Sequence, residues 1–435
     1  MTTIIHNISI LFLEDGKELD RGMIVVENDA ISYAGPPKEW ESTEDVRYIN
    51  GDGGIAMPGF VNTHTHTPMG LLRGLGDDLP LERWLEDAIY PVEEDMGPTD
   101  FYWGSMLAAA EMLAGGTVAF SDMYMGPDAT ARVVERSGLR GVLSRGMACF
   151  SDDLGEVREK IVETLEFNGR WMGKADGRIM FSMAPHAEYT CSKVFLKECA
   201  RVAREHNLLF HTHISETKGE HDACMERHGK TPTALMEELG VWENKAVAAH
   251  CVHITPADMG ILKKHGVGVS HNPRSNLKLA SGIAPVKEML EVGIPVSIGT
   301  DGAASNNNLD MLEDTRLCGL LQKGITGDAA LLPAEQVLRM ATLGGREALG
   351  LPDGRLMAGN KADLIIINTN TPHMQPLRNL ASGILYGAKA SDVALTMVDG
   401  KVLYHKGEHL TLNINRILAE AEGFALREDP MMKKA

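Results

Sequence analysis

The stretch "GFVNTHTHTPMG" (59–70) decides the fold. A short apolar start runs into two histidines, His64 and His66, one residue apart. Side chains alternate along a strand, so residues i and i+2 point the same way. Seven further apolar runs follow: "GGTVAFSDM" (115–123), "RGVLSRGM" (140–147), "RIMFSMAPH" (178–186), "LLFHTHISE" (208–216), "AVAAHCVH" (246–253), "GVGVSHNP" (266–273) and "PVSIGTDG" (295–302). Helical stretches lie between them. "TPTALMEELG" offers Thr231 as N-cap, Pro232 in the first turn and Gly240 past the end; "TPADMGILKKHG" repeats the device with Thr255, Pro256 and Gly266. Eight β/α units in series predict a closed parallel (β/α)8 TIM-like barrel over 58–355. A doubly wound open sheet competes, but it gives no reason for polar residues at every strand end.

The flanks read differently. Residues 1–57 hold strand-like pieces such as "DRGMIVVENDAISYAG", and 356–435 hold "KADLIIINT", "VALTMVDGKVLYHKG" and a terminal amphipathic helix, "NINRILAEAEGFALRE". Neither flank is complete alone, so one small β-sandwich built from both chain ends is expected, making an α/β chain in three segments. Apolar residues are 44% of the 435 and charged residues 23%, enough for a large core. The net charge of -18 disfavours nucleic acid and anionic membrane surfaces as partners. No run predicts a membrane span, and the first residues lack the basic and small-residue marks of a signal peptide. Six scattered cysteines without CxxC read as free thiols. A cytoplasmic location is expected, and a homo-oligomer is left open.

The chemistry gathers at the strand ends, the rim that carries catalysis in such barrels. His64 and His66 end strand one, His213 ends strand five and Asp301 ends strand eight. An HxH pair alone is a weak signal, since histidines at strand ends are often only hydrogen-bonded. Three imidazoles and a carboxylate on one rim predict a mononuclear site for one divalent ion per subunit, Zn2+ first and Fe2+ as the other ion that suits. His211 is a decoy two residues before His213. Glu216, three past His213, fits a proton shuttle, and His250, ending strand six, fits a hydrogen bond to the attacking oxygen or the tetrahedral intermediate. Without the metal site, Glu216 reads as a surface carboxylate and His250 as a core histidine. Strand four ends in His186 with no lysine to bridge two metals, and no PCxxC follows "HAE" (186–188), which excludes the zinc-site design that pairs those two motifs.

"MPGFVNTHTHTPM", "HTHISE", "AHCVH", "SHNPRSNLKLASGIAPV" and "IGTDGAASNN" resemble the amidohydrolase superfamily. Within it the chain is most similar to the 5'-methylthioadenosine/S-adenosylhomocysteine deaminases, over nearly its whole length. The resemblance implies metal ligands at His64, His66, His213 and Asp301, and catalytic roles for Glu216, His250 and Asp301. It implies substrate contacts at Trp84 (an apolar wall near the 5' substituent), Glu93 (ribose hydroxyls), Arg145, His186 and Ser305, besides Glu216 and Asp301. Arg158 would clamp a homocysteine carboxylate. The implied reaction is hydrolytic deamination of the adenine ring of a small-molecule nucleoside. The alternatives are an aminohydrolase or chlorohydrolase acting on another nucleoside, guanine or an s-triazine, and a barrel kept as a regulatory module. The preferred 5' substituent is not legible in the sequence.

Overall fold

The computed structural model describes residues 1–41 and 45–428. Five strands come first: β1 Thr2–Phe12, β2 Lys17–Glu27, β3 Ala30–Gly35, β4 Val46–Asn50 and β5 Ile55–Pro58. The eight expected runs then form β6 Phe60–Thr65, β7 Thr117–Tyr124, β8 Arg140–Met147, β9 Ile179–Pro185, β10 Leu209–Ile214, β11 Ala246–His250, β12 Gly268–His271 and β13 Val296–Ile298. They lie parallel, each beside its sequence neighbour, from β6 to β13. Helices cover the outside, so both faces of the strands are buried; every residue of β7 and of β10 is. That is why these runs read as continuous apolar stretches.

The seam between β13 and β6 is closed mainly by polar groups. The Asp301 N–H donates to the His64 carbonyl at 2.9 Å. Thr63 Oγ1 donates to the Ile298 carbonyl at 3.0 Å, and the Asn62 amide pairs with Thr300 through Nδ2 (2.7 Å) and Oδ1 (3.0 Å). Gly299 sits in this seam because nothing larger fits. A Cβ there would lie 2.5 Å from Asn272 Oδ1, 2.7 Å from Ser270 Oγ and 2.8 Å from the His64 backbone nitrogen.

The capped helices form where expected. Thr231 accepts from the Ala234 N–H at 3.1 Å to start Pro232–Glu238; Thr255 accepts from the Asp258 N–H at 3.2 Å to start Pro256–His265. Gly266 ends the second in the left-handed conformation, φ 65°.

Both chain ends build one further sheet. After the barrel come β14 Leu364–Ile367, β15 Val393–Val398, β16 Lys401–His405 and β17 Glu408–His409, in the order β17-β16-β15-β14-β5-β1-β2-β3, with β4 parallel to β1. β14 shows why "LIII" is apolar throughout. Leu364 and Ile366 enter the sheet's own core with Ile5, Ile10 and Ile24, whereas Ile365 and Ile367 enter the barrel's core. Beneath the barrel, Arg140 donates to both oxygens of Asp363 (2.6 and 3.1 Å) and to Asp399, and Arg346 donates to Asp363 at 2.6 Å. The terminal helix Ile414–Glu428 buries Phe424 in a cluster with Leu72, Trp84, Phe101 and Tyr124. The segment 429–435 of the C-terminal flank lies outside the described residues. All six cysteines are buried and unbridged. Among the described residues, no helix is long and apolar enough to cross a membrane.

Candidate metal centre and substrate cavity

The strand ends bring four imidazoles together. The His64 ring centroid lies 4.9 Å from His66, 4.8 Å from His213 and 5.4 Å from His250. Two metal-capable groups share His64: one with His66 and Asp301, one with His213 and His250. In each, one ligand atom per residue lies within 4.8 Å of the others. Asp301 Oδ1 is 3.1 Å from His66 Nε2 and 3.5 Å from His64 Nε2. His250 and Asp301 both have left-handed backbones (φ 70° and 62°), a strained conformation for such residues and one that concentrates at functional sites.

The far nitrogen of each ring is already engaged. His66 Nδ1 donates to the Met123 carbonyl at 2.5 Å, and His213 Nδ1 donates to the His186 carbonyl at 2.7 Å. A carbonyl only accepts, so Nδ1 carries the hydrogen and Nε2 faces inward; burial lowers the His66 pKa, but the Asp301 carboxylate beside its Nε2 outweighs that and raises it to about 9. His64 Nδ1 pairs with His211 Nε2 at 3.0 Å, and His211 Nδ1 with Ser121 Oγ at 3.2 Å. His64 Nε2 is buried without a hydrogen-bond partner. Burial lowers the pKa of His64 to about 3, which keeps that lone pair free. Burial opposes the charge on Asp301 as well, but the neighbouring His64 and His66 rings outweigh it and hold the carboxyl well below its usual range. Ser275 (2.6 Å) and Ser305 (2.9 Å) donate to its Oδ2.

Beside this cluster, Glu216 is buried and its Oε2 stands 3.7 Å from His250 Nε2. Burial raises its pKa; the neighbouring His250 opposes the rise. A cavity of about 370 Å³ opens over the cluster. Trp84, Glu93, His186, Glu216, His250 and Ser305 line it with His66, His213 and Asp301. The Tyr124 hydroxyl donates to Glu93 Oε1, while burial raises the Glu93 pKa. His186 is lowered to about 4 by burial and its Nδ1 meets Thr190 Oγ1 at 3.1 Å.

The two arginines are not brought to the cavity. Arg145 forms an ion pair with Glu163, and Arg158 is 65% exposed with its Nε 3.8 Å from Glu198. Sequence reasoning passed over several residues that act on the site. Tyr124 ends β7 and was findable as a strand end. Asn276 Oδ1, 2.8 Å from His250 Nδ1, lies on a loop helix that no strand pattern marks. Glu220 accepts the backbone N–H groups of Ser215 (3.0 Å) and Glu216 (2.7 Å), a contact invisible to spacing.

A parallel barrel with a histidine-rich pocket at its C-terminal rim defines a hydrolase of the metal-binding barrel class. The chain belongs to the amidohydrolase family, whose pattern it matches over residues 55–403. It is 44% identical over 425 residues to the 5-methylthioadenosine/S-adenosylhomocysteine deaminase of Syntrophomonas wolfei, covering 97% of this chain and 98% of that one. It is 45% identical over 423 residues to the protein of the same name from Dictyoglomus turgidum, with the same coverages. Among solved structures, a zinc-bound adenosine deaminase from Xanthomonas campestris superposes with a TM-score of 0.92 at 32% identity, covering 98% of both chains. The zinc complex of an atrazine chlorohydrolase from Arthrobacter aurescens shares the fold at TM-score 0.90 and 24% identity, covering 97% of this chain and 99% of that one.

Proposed function

We propose that this chain hydrolytically deaminates the adenine ring of 5'-thioethers of adenosine, the class containing 5'-methylthioadenosine and S-adenosylhomocysteine, to the inosyl product and ammonia. The observation that carries the reading is one cavity holding both a metal-capable rim and, with it, the half-buried Glu93–Tyr124 pair. The relatives named above support the choice of nucleoside. The unpartnered, buried Nε2 of His64 and the inward Nε2 atoms of His66 and His213 fit a borderline divalent ion better than a hydrogen-bonded role. His64, His66, His213 and Asp301 would hold that ion, zinc first. When bound, it supplies Lewis-acid activation of a water molecule.

The rest is done by side chains. Glu216 takes a proton from the attacking water and delivers it to a ring nitrogen, N1, so that C6 accepts the oxygen. Burial, which raises its pKa, suits it to both halves of that transfer. His250 Nε2 faces the same point and hydrogen-bonds the oxygen as charge develops, held there by Asn276. Asp301 accepts the second proton and passes it to the exocyclic amino group, so that ammonia leaves as the C–N bond breaks and the carbonyl forms. Glu93 accepts the ribose hydroxyls, with Trp84, His186 and Ser305 framing the nucleoside.

Ammonia release from a panel of adenosine thioethers, adenosine, guanine and an s-triazine tests the reading. Adenosine thioethers should rank first, chelation should abolish turnover, and Glu216→Gln should lower kcat by roughly a hundredfold while the metal is retained. A guanine or triazine preference would remove the nucleoside assignment.

A further inference from the structure

The geometry points to Asp314 as a positioning residue for the metal centre: its one carboxyl ties together the two short helices that aim Asp301 and His250; this rests on the roles given to those two residues above. Asp314 lies on the helix Met311–Thr326 and is fully buried. One of its oxygens accepts the Arg274 backbone N–H at 3.2 Å, and the other accepts from Asn306 Nδ2 at 3.0 Å. Each contact falls beside a serine in the chain. Ser275, just after Arg274, and Ser305, just before Asn306, are the two hydroxyls that donate to Asp301 Oδ2. Asn276, one residue further along, holds His250 Nδ1. Asn306 Nδ2 also donates at 2.7 Å to the carbonyl of Thr300, the residue before Asp301.

Those helices need an outside tie. Pro273–Lys278 has six residues and Ala303–Asn306 four, too few to stand by their own hydrogen bonds. What they hold is strained. The left-handed backbones of His250 and Asp301 persist only where the surroundings fix them from several sides. A capping role for Asp314 in its own helix is already filled: Asp310 accepts the N–H groups of Leu312 and Glu313, whereas both hydrogen bonds of the Asp314 side chain leave the helix. The two short helices meet again through Lys278, which donates to the Ala304 carbonyl at 2.9 Å, but that side chain is only partly buried. Asp314 is the tie inside the core. Burial raises its pKa to about 8, so the fold keeps an acid where an apolar side chain would cost less.

Zinc titration of the metal-free chain against a chromophoric chelator, with ammonia release by the zinc-loaded chain, tests this in Asp314→Asn. The amide keeps the volume but turns an N–H donor toward one of the two donors it must accept from. Zinc affinity should fall about tenfold or more, and kcat at saturating zinc should fall about as far. KM for 5'-methylthioadenosine should stay within about twofold, because Trp84 and Glu93 stand on other elements. Asp314→Ala, which buries no polar group of its own, should repeat the pattern and serves if the amide does not fold. Thr315→Val is the control, since it changes the next, equally buried side chain, whose hydroxyl donates to the Met311 carbonyl of its own helix. It should leave zinc affinity and kcat per folded chain at wild-type values, whatever its Tm. Wild-type zinc affinity and kcat in a folded Asp314 variant would overturn the inference. So would equal losses in Thr315→Val, because any change in that helix would then suffice. A wild-type chain that binds zinc but releases no ammonia from any adenosine would remove the deaminase reading, and the zinc titration would decide the inference without it.

Discussion

Glu220 is a half-buried acid one turn beyond Glu216, and its two oxygens fix the backbone through which Glu216 leaves the strand. Burial first, and the charge of Glu216 second, push its pKa from 4.5 to about 7. Between those values the folded chain holds a proton that the unfolded chain has lost. Stability from this group is therefore present at low pH and declines as pH rises through the window of about 4.5 to about 7. Glu220→Gln should flatten the dependence of Tm on pH across that window, measured by thermal scans of both proteins. Parallel curves would show that Glu220 does not titrate there. At this scale the sequence was most informative where geometry is local. His64 and His66 share a direction because strands alternate, and Glu216 and Asp301 stand at strand ends. It was least informative for charges whose partners are distant. Nothing around Arg145 announces that Glu163, on the following helix, takes it up, and Glu93 could be told from Glu94 only by resemblance.

At the scale of elements, the β13–β6 seam places Asp301 against His64. Gly299→Ala must displace the Asn272 amide or the Ser270 hydroxyl, and with them the His64 backbone. Overpacking of this kind costs about 1–3 kcal/mol. The variant should melt lower and hold its metal less tightly, by thermal scans and metal analysis after dialysis. Gly260→Ala, in an exposed helix position with nothing within 4 Å of the new Cβ, should leave both unchanged or gain up to about 1 kcal/mol of stability. Equal behaviour of the two would detach the seam from the site. The eight strands were readable because their runs are mainly apolar and several lead into a polar residue, such as His66, His186, Glu216, His250 and Asp301. The seam was not, since β13 spans only three residues and is joined to β6 largely by side chains of Asn62 and Thr63.

The whole molecule is held to its second sheet by buried charge as well as by hydrocarbon. Arg140 begins β8, while Asp363 and Asp399 flank β14 and β15; all three are buried. Arg140→Met strands two carboxylates that Arg346, Arg178 and Lys361 satisfy only in part. Removing one partner of such a buried network costs about 3–5 kcal/mol. Denaturant unfolding should register that loss, while kcat per folded chain stays at the wild-type value because the network lies at the opposite end of the strands from the catalytic rim. Strand-like runs in both flanks foretold a second unit drawn from both, but not its strand order, because pairing across the whole chain leaves no local trace.

That pairing has a consequence for biosynthesis. β1 to β5 leave the ribosome before β14, yet one edge of β5 is completed only by β14, and the apolar seat beside Ile5, Ile10 and Ile24 is filled only by Leu364 and Ile366 of that later stretch. Throughout translation of the entire barrel, the nascent chain carries an open strand edge and an unfilled apolar seat at its leading end. Such edges invite pairing with other chains. A ribosome that stalls before Leu364 therefore releases a product with a sticky end, and chaperone demand should peak in that interval, before the last strands clasp the first.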